Sequence, residues 1–184
     1  MSNMQILRSF LAAVVLLLAK TAMASMMWEA VAVEPAVAAR LRADPAPIGK
    51  LFDAAGKDRR VELEKAWHGI HFLLTGGAGA APGIAAQVIL GGEAVGPDQG
   101  YGPAKLLAPA TVKQIAQFLA TQTPDVLSAR YDPKKMQSAR IYPTTIWVAE
   151  GPEALRFLQD AYSELAAFYR AAAQRGDAVL IVVR

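Results

Sequence analysis

Residues 177–183, "DAVLIVV", carry an apolar side chain at every position from Ala178 to Val183. A strand with one wet face alternates polar and apolar residues, so an unbroken run of this length is the pattern of a central strand buried on both faces. Such a strand needs other strands beside it and covering layers above and below. The chain has the material for this, with 184 residues and 54% hydrophobic content, enough for one domain with a sizeable core.

The segments that precede the run supply strand and helix in turn. "MWEAVAVE" at 27–34 alternates as a first strand, closed by Pro35. "AVAARLRADP" is a short helix ended by Pro45, and "PAPIGKLFDAAGKDRR" is expected to be a connection with an apolar patch at Ile48, Leu51 and Phe52. A helix bearing both histidines follows, with Leu63, Trp67, Ile70 and Leu74 on one face and Gly76 as its C-terminal stop. The glycine-rich "GGAGAAPG" is a loop, "AAQVILGG" has the apolar run of a short buried strand, and "GPDQGYGP" is turn chemistry.

Pro109 opens a helix with Val112, Ile115 and Leu119 on one face. In "TPDVLSARY" and "DPKKMQSA" a Thr or Asp stands ready to cap, followed by Pro at the first helical position, so each predicts a short helix. "IYPTTIWV" is β-branched and aromatic and is expected to be extended. The last helix starts at "GPEAL", carries Leu155, Leu158, Tyr162, Leu165 and Tyr169 at helical spacing, and stops at Gly176. The sum is a single α+β domain, several helices packed on a small mixed sheet.

The N-terminus reads separately. A basic region ends at Arg8, an apolar stretch runs from Phe10 to Ala19, and Ala22 and Ala24 form an A-x-A arrangement. This order predicts a signal peptide over 1–24 cleaved before Ser25, with the domain at 25–184. Its apolar stretch falls short of the roughly 20 residues a stable membrane anchor needs. Lys20 departs from the usual pattern, and translation from Met26 or Met27 is the alternative. The expected location is accordingly periplasmic or secreted with the leader, and cytoplasmic without it.

Several function classes are disfavoured by composition. The formal charge is +3, but setting aside Arg8 and Lys20 leaves 17 basic residues against 16 acidic. "KDRR" at 57–60 is too short to track a phosphate backbone, so nucleic acid is not an expected partner. The absence of cysteine removes disulfides, zinc–thiolate clusters and a thiol nucleophile. The glycines at 76, 77, 79 and 83 follow a helix and match no dinucleotide or phosphate-loop pattern, and no serine-nucleophile context occurs. No cofactor is expected.

The residues with chemistry to offer are few. On a helical projection Glu64, His68, His71 and Thr75 form one stripe beside the core face. Two histidines three apart can reach one ion, but a catalytic zinc needs a third protein ligand, and no metal is predicted. Partly buried rings hydrogen-bonded to backbone or to Glu64 are the favoured reading, with acid–base work as the alternative. Tyr101, between two glycines in "GYGPAK" with Lys105 close behind, is a loop aromatic that could stack on a ligand or plug the turn, and Trp67 is a third candidate for ligand contact.

Five blocks taken in order give the chain a resemblance to a known family: "LEKAWHGIHFLLTG" at 63–76, "VILGGE" at 88–93, "GYGPAKLL" at 100–107, "YDPKKMQSARIYP" at 131–143 and "RGDAVLIVV" at 175–183. With this order and wording the chain resembles the YfbM-like family of uncharacterised bacterial proteins. The resemblance implies an α+β fold and carries no activity with it. Family members tend to begin near Met26, and to have Asp where this chain has Glu62. The expected function is a non-catalytic binding module for a protein or small-molecule partner. Neutralising a toxin is one such task for an exported chain. The alternative is a small enzyme using Glu64, His68, His71 and Tyr101 for proton transfer.

Overall fold

The computed structural model describes residues 25–184, and the predicted leader lies outside them. Five strands form one sheet in the order β2-β1-β5-β4-β3: β1 (Trp28–Val33), β2 (Arg60–Glu64), β3 (Glu93–Asp98), β4 (Pro103–Leu107) and β5 (Ala178–Val183). The apolar run is indeed the central strand, and five of its six residues are buried. Every neighbouring pair is antiparallel, so the sheet is not mixed as expected. Sequence patterns report which faces a strand buries, whereas strand direction is decided by partners far away in the chain.

The two faces of the sheet are covered unequally. On one side Val31, Val33, Leu106, Leu180 and Val182 pack under α1 (Pro35–Ala43) and α2 (Ile48–Ala54), through Leu41, Ile48 and Phe52. The patch at Ile48, Leu51 and Phe52 is therefore a helix within the predicted connection. The other side holds the larger core. There α3 (Trp67–Thr75), α4 (Ile84–Leu90), α5 (Pro109–Leu119) and the 24-residue α9 (Pro152–Arg175) bury Ile70, Val88, Ile89, Ile115, Leu158, Leu165 and Tyr169 against Ala30, Leu107, Val179 and Ile181. Polar tips inside this core are satisfied by backbone: Trp28 Nε1 donates to Ile89 O at 2.9 Å, and Tyr169 Oη donates to Val88 O at 2.7 Å.

Between α5 and α9 lie α6 (Pro124–Arg130), α7 (Pro133–Ser138) and α8 (Trp147–Glu150). The first two are capped as predicted, Thr123 Oγ1 accepting from Val126 N–H and Asp132 Oδ1 from Lys135 N–H. Three expectations are corrected. "AAQVILGG" is the helix α4, because its apolar run suits a helix buried on most sides as well as a strand. "IYPTTIWV" turns through a cis Tyr142–Pro143 bond into α8, where burial of Trp147 outweighs β propensity. The histidine helix starts at Trp67, so Leu63 and Glu64 belong to β2; Ala66 N–H closes a turn on Leu63 O at 2.8 Å and Glu64 sits at φ 46°. Glu62, in mid-strand, has no helix to cap.

Candidate functional site

The turn after β2 sets the start of α3, and Gly76 ends it in the left-handed conformation at φ 77°, which glycine adopts without a Cβ clash. Nine helical residues then present both histidines toward the glycine loop that follows. Tyr142 N–H donates to His68 Nδ1 at 3.0 Å. An amide can only donate, so that nitrogen carries no proton, and Nε2–H donates to Ala78 O at 2.8 Å. The same pattern places His71 Nε2–H on Gly79 O at 2.8 Å. Thr75 extends the seam, its hydroxyl donating to His71 O at 2.8 Å while it accepts from Gly77 N–H at 3.2 Å. The rings thus clasp the loop onto the helix.

Burial lowers the pKa of both histidines below the ordinary 6.5, against the opposing pull of the carbonyls they bond, and the neighbouring His71 lowers His68 further. Each is a neutral imidazole at neutral pH. His68 also stacks on the Trp67 indole, with centroids 4.8 Å apart and planes within 10°. Trp67 is 7% exposed and donates to Met26 O at 3.2 Å, and beyond it lies Tyr142, whose hydroxyl meets Ser25 Oγ at 3.1 Å. His71 is fully buried, and its Nδ1 has no hydrogen-bond partner.

The predicted stripe is therefore broken. His68, His71 and Thr75 are together; Glu64 is exposed at the end of β2, because a strand and a turn, not a helix, connect it to them. Tyr101 is 49% exposed in the β3–β4 turn, with its amide donating to Val183 O at 3.2 Å. Lys105 stands on β4 opposite Ile181. Among the described residues no group of three or more His, Asp or Glu is placed to hold a metal ion, and no helix is long and apolar enough to cross a membrane.

A feature that sequence reasoning passed over lies at the far end of α3. A groove of about 690 Å3 separates residues 72–76 from residues 129–135. Arg130 Nη1 donates to Leu73 O at 3.2 Å, so a guanidinium sits at the negative helix end where it is stabilised by the dipole. The Tyr131 hydroxyl donates to Gly151 O at 2.9 Å; burial, then the charge of Glu150, push its pKa up. Asp132 is spent on capping α7, and the Lys135 amide that it accepts from is the chief reason its pKa is lowered. The sequence signal was "YDPKK", read only as a helix start.

Among the described residues, a β-sheet of five antiparallel strands with α1 and α2 over one face and the remaining helices over the other, carrying a paired-histidine clasp, defines an α+β domain. The family model "Domain of unknown function (DUF1877)" matches residues 24–182, and the chain belongs to that family. Its fold is similar to that in the crystal structure of YfbM from Escherichia coli, a protein of unknown function, with a TM-score of 0.71 and 20% identity over 86% of this chain and 100% of that one. The YfbM-like resemblance read from the five blocks is thus established. No curated protein matches the sequence.

Proposed function

We propose that this protein is a non-catalytic binding module whose recognition surface is the groove at the C-terminal end of the histidine helix. The observation that carries this reading is the use already made of the imidazoles: both nitrogens of His68 and Nε2 of His71 hold backbone, so the pair fixes the loop on the helix rather than relaying protons. The groove adjoining them is open, and it offers the exposed Arg130 guanidinium, with Lys135 paired to Asp132 at 3.5 Å, beside the apolar side chains of residues 72–74. That combination suits a ligand with an anionic group and an apolar body. Benzoate is a suitable probe. Titrated into 15N-labelled protein, it should give saturable shifts at Thr75, Gly76 and Tyr131 that disappear in Arg130→Ala. No saturable shift at these amides up to about 10 mM, a concentration that captures even millimolar affinity, would overturn the proposal.

One observation favours a second reading. His71 Nδ1 is a buried acceptor without a partner, and a buried imidazole with a vacant lone pair is suited to take a proton. Under that reading His71→Gln would lose an activity while keeping the fold. Under the binding reading the same variant leaves the benzoate response intact.

A further inference from the structure

β2 ends the sheet, and the direction of its backbone groups follows from the neighbouring pairing. Met27 and Arg184 exchange both of their N–H···O bonds, at 2.7 and 2.9 Å. Bonding direction alternates along an antiparallel strand, so residues 29, 31 and 33 bond toward β5 and residue 30 bonds toward β2. Ala30 faces Val61. Val61 therefore spends its amide and carbonyl on β1, and those of Arg60 and Glu62 point away from the sheet. A groove of about 770 Å3 lies along this edge, lined by Val61 of β2 and by Glu164, Ala167, Phe168, Ala171 and Arg175 of α9 together with charged residues of the edge itself. The opposite edge is different: β3 contains Gly96 at φ 75° and Pro97, with a register shift between Val95 and Asp98 that breaks the ladder.

We propose that the β2 edge is a self-association surface, on which a second copy of this chain adds its own β2 antiparallel, with Arg60 facing Glu62 of the second copy and Val61 facing Val61. Only registers that oppose even-numbered residues let the outward groups bond, and among these the choice falls by charge. Placing Glu62 against Glu62, or Arg60 against Arg60, sets like charges directly across the ladder. Placing Arg60 against Glu62 sets opposite charges twice over, once on each side of the two-fold axis. Each such pair exchanges both of its backbone bonds. Val61 then meets its counterpart on the α9 side, where Ala167 and Ala171 leave room for the second long helix to lie alongside the first. The two five-stranded sheets become one continuous sheet.

The absence of cysteine permits a direct test on the full chain. Light scattering should show a dimer, and Glu62→Arg should raise its dissociation constant about tenfold or more, because the variant opposes arginine to arginine. In the proposed register the two Val61 Cα atoms are about 4.5 Å apart, within disulfide reach, so Val61→Cys should cross-link under mild oxidation. Glu62→Cys should cross-link poorly and Glu64→Cys not at all. A monomer at every concentration up to about 100 μM, or a dimer that ignores Glu62→Arg, would overturn the proposal. Efficient cross-linking through Glu62→Cys instead of Val61→Cys would overturn the register. Circular dichroism of each variant separates lost association from lost folding.

Discussion

At the scale of single residues, the histidine pair links stability to pH. Folding lowers both pKa values below the ordinary 6.5, so between 6.5 and the lowered values the unfolded chain binds more protons than the folded one. Stability from this source is complete above pH 6.5 and is lost as the pH falls below it. Urea midpoints measured at about pH 7.5 and pH 5.5 should therefore differ, with a smaller difference in a His68→Gln, His71→Gln variant. His68→Ala removes one acceptor and one donor from half-buried backbone partners and should cost about 1 kcal/mol or more at neutral pH, read from the same unfolding curves. That the two rings would be satisfied structural groups was legible from their place in an apolar run, with backbone or Glu64 as the expected partner. The partners were not, since Tyr142 is 74 positions from His68 and reaches it only through the turn that carries "YPTT". Glu64 was assigned to the wrong neighbours because periodicity alone does not reveal the turn at 64–66.

Among the elements, α3 is held in place by a close approach at Gly69. A Cβ there would lie 2.7 Å from both Leu158 Cδ2 and Trp147 Cη2, side chains that are themselves buried. Alanine is the better helix former by about 1 kcal/mol, yet overpacking should outweigh that gain. Gly69→Ala should destabilise the fold by about 1–3 kcal/mol, seen as a lower thermal midpoint, with relief in a Gly69→Ala, Leu158→Ala double variant. Elements whose signals are local were legible: the caps at Thr123 and Asp132, the glycine stops at 76 and 176, and the amphipathic spacing of α5 and α9. Those settled by tertiary burial were not. α4 and α8 take their form from the core that receives Val88, Ile89 and Trp147, and a short apolar window does not say which backbone will deliver them.

For the whole molecule, the decisive contacts join the ends of the described chain. Glu29, 7% exposed, accepts from Arg184 at 2.9 and 3.0 Å and from Arg60 at 2.8 Å, so one carboxylate ties three strands' worth of backbone on the smaller face. Glu29→Gln leaves two partly exposed guanidinium groups with a neutral partner and should cost about 1–3 kcal/mol, read from the denaturation midpoint. The antiparallel sheet order was not legible for the same reason that this cluster was not: both depend on pairings across the full length. That separation has a further meaning in time. β1 is among the first segments of the domain, and on one side its permanent neighbour is β5, with Glu29 and Arg184 lying 155 positions apart. Until β5 arrives, β1 has only β2 beside it, and neither core has its central wall. Closing so long a loop early is entropically unfavourable, so the helices and the β3–β4 hairpin are expected to form ahead of the sheet. The strand that organises the finished protein is therefore expected to be the last piece of its assembly.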